Sequence, residues 1–526
     1  MSSADVTGNS NGDLDALVVG AGFGGIAAAI ELRRHGFERV RILEKAPDLG
    51  GTWFYNSYPG AACDVPSHLY SFSFAQRRDW TRLCSPQEEI HDYLRAVAEE
   101  HGIVPLIDTG VEVTECAWQD ADSRWLVLAR DGRRYGACAL IVATGQLHQP
   151  AFPKIPGIET FAGHSFHSSA WDHDYPMSGR RVGVVGTGAS AVQFVPEIAP
   201  EVERLTVFQR TGNWFLPRKN RRYPAAWRAA IERVPGLQDF RRQFMFQYAE
   251  SLTAAIRHPA TFGRVSGARS AAFMRSQLQD EDVRERVWPD YTFGCKRILF
   301  SSRFLPALQR SNVELVTDAI VSVQPEGLLT EAGTLHPADC IVWATGFRTN
   351  DFMFPMRITG SGGRELDDVW RDGAHAHLGI TVPGFPSMFI LYGPNTNTSG
   401  GSIIFYLEQQ TAYARQALEA VRRRGAAAID VREEVEAASD REIQAAFAGT
   451  AWTECDSWYR NDAGRIVANW PGYMRQYLQR TRTIDEREFA FLGAGGADGS
   501  GAIANGSAPE AERVAGAPAQ ALGSDA

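Results

Sequence analysis

Two glycine-rich turns of the type that binds dinucleotides lie about one domain apart in this chain. They occupy residues 20–25, with the sequence GAGFGG, and residues 186–191, with the sequence GTGASA. Glycines allow the backbone to approach a pyrophosphate, and the N-terminus of the helix that follows stabilises its negative charge. One turn would indicate only a dinucleotide enzyme. Two turns indicate that a flavin and a nicotinamide are bound together, so that electrons can pass between them.

The first turn stands in the context that a dinucleotide fingerprint requires. We expect an apolar strand over residues 16–19, a helix over 26–32, and a second strand over 40–43 that leads into Glu44. Glu44 lies about twenty residues after the turn, where a carboxylate can accept hydrogen bonds from ribose hydroxyls. A chance glycine-rich turn is the alternative. The predicted cofactor-binding residues here are Gly20, Gly22, Phe23, Gly25, Glu44 and Lys45.

The second turn ends in Ala191, which the fingerprint allows in place of glycine, and a strand is predicted over residues 205–209. Arg210 follows this strand, at the position where the first unit has an acid. A carboxylate would repel a ribose 2′-phosphate there, whereas a guanidinium can bind it through two hydrogen bonds. The site should therefore prefer NADPH to NADH, unless Arg210 is an ordinary surface arginine. The predicted residues are Gly186, Thr187, Gly188, Ser190, Ala191, Arg210 and Thr211.

The composition restricts the class of protein. A chain of 526 residues is too long for one core, so two or three domains are expected. The net charge of −9, without a basic run, argues against a general nucleic-acid binder. No window approaches about 18 uninterrupted apolar residues, so no membrane span is expected. The polar N-terminus lacks an apolar signal core, which predicts a cytoplasmic protein.

The seven cysteines are scattered along the chain, and no two of them have C-x-x-C spacing. An odd number with this scatter predicts reduced intracellular thiols, not a disulfide framework or a zinc site, and no metal is expected. It also argues against a flavin disulfide reductase, which needs two closely spaced redox cysteines.

The elements that must position the turns form an α/β fold with two Rossmann-like domains. The phrase IVATG at residues 141–145 recurs as IVWATG at 341–346, and two related nucleotide domains explain this echo. Residues 1–13 and 494–526 are poor in large apolar side chains and are expected to be disordered tails. The predicted units are an FAD-binding domain (14–150 and 380–493), an NADPH-binding domain (151–221 and 291–379) and a mostly helical insertion (222–290).

Two further stretches carry a resemblance to a known family. Residues 161–172 (FAGHSFHSSAWD) lie just before the second turn, and residues 50–64 (GGTWFYNSYPGAACD) run from a Gly-x-Trp to an aspartate. Together they resemble the two signatures of flavin-dependent Baeyer–Villiger monooxygenases, and the resemblance covers roughly residues 14–490. Either stretch alone would leave related N-hydroxylating and sulfur-oxidising flavoenzymes open.

The resemblance implies that FAD and NADPH are the cofactors and that O2 and a small ketone are the substrates. NADPH would reduce FAD, and a C4a-peroxyflavin would attack the ketone to give an ester or lactone. An anionic peroxide and the oxyanion that follows call for a fixed cation, and a permanently charged arginine suits this better than lysine. Two alternatives stay open: oxygenation of sulfur (a sulfide substrate) or nitrogen, and a flavin-binding module or NADPH oxidase without a substrate. A monomer or weak homo-oligomer is expected.

The resemblance also assigns roles to single residues. Arg297 matches the cation, and Asp64 matches the acid that pairs with it and orients it. Lys296 is similar to the lysine that contacts the NADP 2′-phosphate, and Trp458 to a tryptophan that folds over NADP from a mobile segment. His167 is similar to a histidine that organises the domain linkage. The remaining cofactor contacts that it implies are Thr52, Trp53, Val65, Tyr70, Ala143, Thr144, Gly145, Ala344, Thr345, Gly346 and Asn395.

From the residues alone, plainer roles remain open for these positions: a turn-capping Asp64, a surface salt bridge for Arg297, and a core position for Trp458. Two features also depart from the family pattern. Ala62 stands where many members have arginine, and residues 398–401 read TSGG where related enzymes often continue Leu-Gly-His. The first departure would remove a positive charge near the flavin, and the second leaves the substrate-side contacts open.

Overall fold

The computed structural model describes residues 13–218, 220–353, 355–398 and 400–493. The predicted disordered tails lie outside these residues, except for Asp13, whose carboxylate accepts a 2.9 Å hydrogen bond from Arg124. Within the described ranges, no helix has both the length and the apolar character needed to cross a membrane.

The strands, numbered in chain order, are β1 (Ala16–Val19), β2 (Val40–Glu44), β3 (Ile107–Thr109), β4 (Val113–Gln119), β5 (Arg124–Ala129), β6 (Arg134–Ala137), β7 (Leu140–Val142), β8 (His164–His167), β9 (Arg181–Val185), β10 (Arg204–Phe208), β11 (Phe215–Leu216), β12 (Leu299–Phe300), β13 (Val313–Val316), β14 (Ile320–Gln324), β15 (Gly327–Thr330), β16 (Leu335–Pro337), β17 (Cys340–Trp343), β18 (Arg357–Thr359), β19 (Met388–Ile390), β20 (Ala428–Val431) and β21 (Phe489–Leu492).

The α-helices are α1 (Phe23–Arg34), α2 (Thr52–Tyr55), α3 (Gln87–Glu100), α4 (Ala189–Ile198), α5 (Ala225–Arg233), α6 (Leu237–Arg257), α7 (Arg264–Gln277), α8 (Glu281–Val287), α9 (Phe304–Ala307), α10 (Leu366–Val369), α11 (Ile403–Arg424), α12 (Glu433–Ala445) and α13 (Met474–Thr481). A turn of π-helix, Pro259–Gly263, joins α6 to α7.

The first nucleotide-binding sheet has the strand order β19-β7-β1-β2-β3, and each neighbouring pair is parallel. All four residues of β1 are apolar and buried, as expected for a parallel strand covered on both faces. The chain leaves β1 at Gly20 and enters α1 at Phe23. Gly20 has a φ of +105°, and a Cβ there would lie 2.6 Å from the carbonyl oxygen of Ala143. Only glycine fits this turn.

The second nucleotide-binding sheet repeats this arrangement, with the strand order β13-β10-β9-β17-β8 and parallel pairing throughout. The chain leaves β9 at Gly186 and enters α4 at Ala189. Gly186 has a φ of +107°, and a Cβ there would lie 2.4 Å from the carbonyl oxygen of Ala344. In both domains, therefore, the glycine turn packs on the Ala-Thr-Gly phrase of the neighbouring strand, which explains the internal echo in the sequence.

The segment between the two halves of the second domain contains the helices α5 to α8. Its longest helix, α6, contacts the first domain. The Arg242 guanidinium donates to the carbonyl oxygen of His68 at 2.7 Å, and the Gln238 amide donates to the carbonyl oxygen of Arg77 at 3.1 Å. The insertion is therefore fastened to the FAD-side domain as well as to the domain that it interrupts.

One predicted domain boundary is wrong. The prediction assigned residues 291–379 to the second domain, but β18 pairs in parallel with β4 of the first domain. Met356 and Ile358 are buried in the same apolar cluster as Trp125. The chain therefore returns to the first domain near residue 350, and sequence spacing missed this because β18 is only three residues long.

The prediction of reduced thiols is also wrong for one pair. Cys295 and Cys455 form a disulfide whose Cα atoms are 6.1 Å apart, although 160 residues separate them along the chain. Spacing in the sequence gives no sign of such a pair, because the fold alone brings the two segments together. The other cysteines are free; Cys63, Cys84, Cys116 and Cys340 are buried, and Cys138 is exposed.

Candidate functional site

Both glycine turns open into one cavity of about 1290 Å³, which the carboxyl ends of the parallel strands face. Parallel α/β sheets bind ligands at this edge. A volume above the roughly 300–1,000 Å³ of a single-ligand pocket suits more than one large ligand. The predicted residues that line it are Gly20, Gly22, Phe23, Glu44, Lys45, Thr52, Trp53, Asp64, Val65, Tyr70, Ala143, Thr144, Gly145, Gly186, Thr187, Gly188, Ser190, Arg210, Thr211, Lys296, Arg297, Ala344, Thr345, Gly346 and Trp458.

Two residues of the glycine fingerprints do not line the cavity but pack the turn against its helix. A Cβ at Gly25 would lie 1.8 Å from the carbonyl oxygen of Gly20, so this glycine permits close packing of α1 on the turn. Ala191 is fully buried in the apolar core of the second domain. The structure therefore gives both positions a role in helix packing, and their contact with a nucleotide stays a prediction.

Asn395 is likewise absent from the cavity wall. Its buried amide donates to the carbonyl oxygens of Ile466, at 2.7 Å, and Asn469, at 3.0 Å, so it holds two loops together. Asn397, two residues further on, lines the cavity and accepts a 2.7 Å hydrogen bond from the Tyr392 hydroxyl. Within this segment, the asparagine that faces the cavity is Asn397.

Glu44 shapes the first nucleotide turn through both of its carboxylate oxygens. They accept hydrogen bonds from the backbone amides of Ala21, at 2.7 Å, and Ala46, at 2.8 Å. An ionised carboxylate has about four acceptor positions, so capacity remains for a ribose hydroxyl. The carboxylate is only 5% exposed and lies in the cavity wall, which is consistent with the predicted position.

An aromatic wall lies beside the first turn. The indole Nε1 of Trp53 donates to the Tyr70 hydroxyl at 3.1 Å, and the two rings meet edge to face with centroids 5.7 Å apart. Phe23 packs edge-on against Tyr70 at 5.6 Å. These three residues all line the cavity, and Trp53 and Phe23 also belong to the apolar core of the first domain, so they form a rigid apolar surface that suits a planar ring system.

An ion pair joins the two domains in the cavity wall. Arg297 Nη2 donates to Asp64 Oδ2 at 2.6 Å, across 233 residues of sequence. The carboxylate of Asp64 raises the pKa of Arg297, which outweighs the effect of burial. Burial favours the neutral form of Asp64, but the charge and hydrogen bond of Arg297, with a smaller effect from Arg218, lower its pKa overall. Both groups are therefore charged at neutral pH.

Two residues that sequence reasoning missed also join the domains. The side-chain amide of Gln193 accepts from the Ala62 amide at 3.0 Å and donates to the Ala62 carbonyl oxygen at 2.9 Å. Arg218 Nη2 donates to the carbonyl oxygen of Cys63 at 2.6 Å. Neither contact could be predicted from the sequence. Each side chain binds backbone atoms, which are the same whatever residue stands at position 62 or 63.

Two cations lie on the second-domain side of the cavity. Arg210 and Lys296 both line it. Burial lowers the pKa of Lys296, Asp290 and Asp456 oppose this effect, and the charge of Arg210 adds to it. Two neighbouring cations form a local site of positive potential, which favours the binding of a phosphate dianion. The structure thus brings together the two residues predicted at the 2′-phosphate.

His167 connects the second sheet to the linker phrase. Its Nδ1 lies 2.8 Å from Ser169 Oγ, and its Nε2 lies 3.0 Å from the carbonyl oxygen of Gly346. Burial lowers the pKa of His167, with the hydrogen bond to Gly346 opposing it, so the ring is neutral at neutral pH. Both ring nitrogens are engaged in the linkage, which agrees with an organising role.

Trp458 reaches the cavity from the C-terminal part of the chain. Its ring centroid lies 4.2 Å from that of Tyr459, which is buried. The carbonyl oxygen of Tyr459 accepts a 3.0 Å hydrogen bond from the Val467 amide. Trp458 therefore extends from an anchored base and lines the same cavity as Arg297.

The site fits FAD and a nicotinamide dinucleotide. Gly20 and Gly186 provide two turns that a Cβ would fill, each followed by a helix N-terminus that favours a pyrophosphate. Glu44 can accept from a ribose in the first domain, and Arg210 with Lys296 supplies positive charge in the second.

Two dinucleotide-binding domains that share one cavity, with an ion pair between them, define a two-nucleotide oxidoreductase. Residues 17–227 match the pyridine nucleotide-disulphide oxidoreductase family. The four cysteines in this range are all free, so the match reflects the nucleotide fold and not a redox disulfide.

The chain is 40% identical to a Baeyer-Villiger monooxygenase of Streptomyces coelicolor, over 90% of this chain and 92% of that protein. It is similar in structure to cyclohexanone monooxygenase from Rhodococcus sp. Phi1 bound to NADP+ (TM-score 0.82, 29% identity, covering 92% of this chain and 100% of that chain). It is also similar to OTEMO in complex with FAD and NADP (TM-score 0.82, 26% identity, covering 92% and 100%). The chain belongs to the Baeyer–Villiger monooxygenases, which confirms the resemblance and the two-domain α/β fold.

Proposed function

We propose that this protein uses FAD, NADPH and O2 to insert one oxygen atom beside the carbonyl of a small ketone, giving an ester or lactone. The observation that carries this proposal is the Asp64–Arg297 ion pair, which lies in the wall of a cavity shared by two nucleotide turns. When bound, the flavin supplies the two-electron chemistry that activates O2. The protein supplies position, shelter from water and a permanent positive charge.

Arg297 is proposed to stabilise the negative charge that develops on oxygen beside the ketone carbon. A guanidinium keeps its charge in a dry site, whereas the pKa of a lysine falls on burial, as that of Lys296 does. Asp64 holds Arg297 in place through the 2.6 Å hydrogen bond. A cation that is fixed before reaction avoids the cost of reorganisation as charge develops.

The first domain is proposed to hold FAD, with Gly20, Gly22 and Glu44 at the nucleotide and Trp53 with Tyr70 beside the ring system. The second domain is proposed to hold NADPH, with Arg210 and Lys296 at the 2′-phosphate. Their positions in one cavity wall support both assignments. We further propose a cytoplasmic monomer or weak homo-oligomer, which light scattering of the purified protein would test.

Product analysis tests the reaction. The FAD-loaded protein would be incubated with NADPH, O2 and matched panels of linear, cyclic and aryl ketones and of sulfides. Mass spectrometry should detect esters or lactones from at least one ketone class. Sulfoxides without any ester would overturn the proposal, and so would stoichiometric hydrogen peroxide with every candidate substrate. Related flavoenzymes that oxidise sulfur or nitrogen motivate the sulfide panel, but the family assignment does not favour that activity.

A further inference from the structure

The Cys295–Cys455 disulfide connects two segments of the proposed active site. Cys295 immediately precedes Lys296 and Arg297, which both line the cavity. Cys455 lies a few residues before Trp458, which lines the same cavity from the C-terminal part of the chain. The bridge therefore ties the segment that carries the cations to the segment that carries the indole.

The Cys455 side of the bridge has little other support. Residues 455–457 lie outside any helix or strand, between a short 3-10 helix (Ala451–Thr453) and the anchored Tyr459. The backbone amides of residues 455–458 make no hydrogen bond to another described residue. The Ser457 hydroxyl is buried, and within the described part of the chain it has no hydrogen-bond partner. The disulfide is thus the covalent tie of this segment to the Lys296 side of the cavity, which the charge of Asp456 beside Lys296 supplements.

The two sulfurs differ in access. Cys295 is fully buried, whereas Cys455 is partly exposed. A thiolate attacks the accessible sulfur of a disulfide, so Cys455 is the point of attack and Cys295 leaves. Burial raises the pKa of Cys84 and Cys340 to about 12, so these thiols stay protonated and unreactive at neutral pH. Cys138 is exposed and serves as a natural control.

We propose that Cys295 and Cys455 form a reversible dithiol–disulfide modification site that fastens the Trp458 segment over the cavity when oxidised and releases it when reduced. The consequence for NADPH binding rests on the proposed function. In reduction, one thiolate of a small dithiol bonds to Cys455 Sγ and expels the Cys295 thiolate, which takes a proton. The second thiolate of the reductant then attacks its partner sulfur in the mixed disulfide, which closes a disulfide within the reductant and releases Cys455 as a thiolate that takes a proton. In total, two electrons and two protons pass from the reductant to the protein. In oxidation, two thiols lose two electrons and two protons to hydrogen peroxide, which becomes two waters.

Peptide mapping tests the bond itself without any activity measurement. The FAD-loaded protein would be treated with hydrogen peroxide or dithiothreitol, alkylated, and digested with trypsin. Cleavage after Arg286, Lys296, Arg441 and Arg460 yields peptides 287–296 and 442–460, each with one cysteine. We expect a linked pair after peroxide and two alkylated peptides after dithiothreitol. Full alkylation of both cysteines after peroxide would overturn the proposal.

Limited proteolysis and ligand binding test the release of the segment. In the native protein, trypsin should cleave after Arg460 faster once dithiothreitol has opened the bridge. The Kd for NADP+ should rise about tenfold, which corresponds to the entropy of freeing about one backbone residue. Cys455→Ser should show the fast cleavage and weak binding in both redox states, and Cys138→Ser should behave as wild type.

Equal cleavage rates and equal Kd values for oxidised and reduced wild-type protein would overturn the regulatory part of the proposal. The outcomes also separate this inference from the proposed function. A protein that forms esters but shows no redox dependence removes only the switch. A protein that shows the linked peptides and faster cleavage on reduction, but oxygenates no ketone, retains the switch and loses the reaction.

Discussion

Replacing Arg297 with alanine removes the one charge that the proposed mechanism cannot do without. Arg297 Nη2 lies 2.6 Å from Asp64 Oδ2, and we take a separation of about 4 Å for the charge centres of such a pair. At an effective dielectric constant of about 20 this attraction amounts to about 4 kcal/mol, so the variant leaves Asp64 without its principal stabilising charge. Arg218 retains its bond to the carbonyl oxygen of Cys63 and offsets part of this loss. The Asp64 carboxyl should therefore titrate at a higher pH in the variant.

The catalytic loss follows from the same contact. Removing one preorganised donor from an oxyanion site costs about 2.7–4 kcal/mol, or a factor of about 10²–10³. Loss of a full charge should reach the upper end, so ester formation by Arg297→Ala should fall about 10³-fold. Flavin reduction by NADPH uses the nucleotide sites and should change only a few-fold. Arg297→Lys keeps a cation, but burial lowers a lysine pKa, so its residual ester formation should decrease as the pH rises.

Two assays separate these steps. Anaerobic stopped-flow spectroscopy measures flavin reduction, and gas chromatography with mass spectrometry measures the ester, with hydrogen peroxide quantified in parallel. Arg303→Ala is the matched control, because Arg303 pairs with Glu197 and its side chain is 63% exposed. It should change neither rate. Ester formation by Arg297→Ala at the wild-type rate would refute the role of the cation. Slower flavin reduction, with an unchanged ratio of ester formed to NADPH consumed, would place Arg297 in NADPH binding instead.

Gly20→Ala should yield protein without bound FAD, whereas Gly186→Ala should keep FAD but lose its reduction by NADPH. In each variant the new Cβ would collide with a carbonyl oxygen of the neighbouring strand's Ala-Thr-Gly phrase. Visible absorption spectra would measure bound FAD, and NADPH oxidation would measure its reduction. Arg210→Ala should lower the ratio of kcat/KM for NADPH to that for NADH by about 10–100-fold, and an unchanged ratio would remove Arg210 from the 2′-phosphate site. Burial raises the pKa of Asp430 to about 7 in the folded protein, whereas an aspartate in the unfolded chain has a pKa of about 3.9. Between these two pH values the folded state binds more protons than the unfolded state. The free energy of unfolding should therefore fall as the pH rises from about 4 to about 7. Asp430→Asn should flatten that part of the profile of Tm against pH, and an unchanged slope would contradict it.

The nucleotide sites could be predicted from the sequence because their physical requirements are local. A glycine turn, an apolar strand before it and a helix after it lie within about thirty residues, and the structure places Gly20, Gly186 and Glu44 in the cavity wall. A cation after the second strand could also be read from the sequence, although the residue that matches Glu44 in the paired strands is Gln209, and Arg210 is the next residue. The ion pair of Asp64 with Arg297 came only from the resemblance, because 233 residues separate its members.

What the sequence did not predict depends on long-range contacts that leave no local pattern. The disulfide of Cys295 with Cys455 spans 160 residues. The short strand β18 adds to a sheet whose other strands lie more than two hundred residues earlier, so the domain boundary could not be read from spacing. Asn395 was expected at the flavin from the resemblance, but its left-handed backbone, with a φ of +55°, and its two carbonyl contacts give it a role in loop packing.

The three consecutive residues 62–64 are each held by a side chain of the second domain. Gln193 binds the backbone of Ala62, Arg218 binds the carbonyl oxygen of Cys63, and Arg297 binds the carboxylate of Asp64. Since the first two contacts use only backbone atoms, alanine at position 62 retains the interface although many family members have arginine there. The position of the cation therefore depends on how the two domains meet along this strip, because a shift at residue 62 or 63 is transmitted directly to the carboxylate that orients Arg297. The contact between the two domains and the placement of the proposed catalytic charge therefore depend on the same three residues.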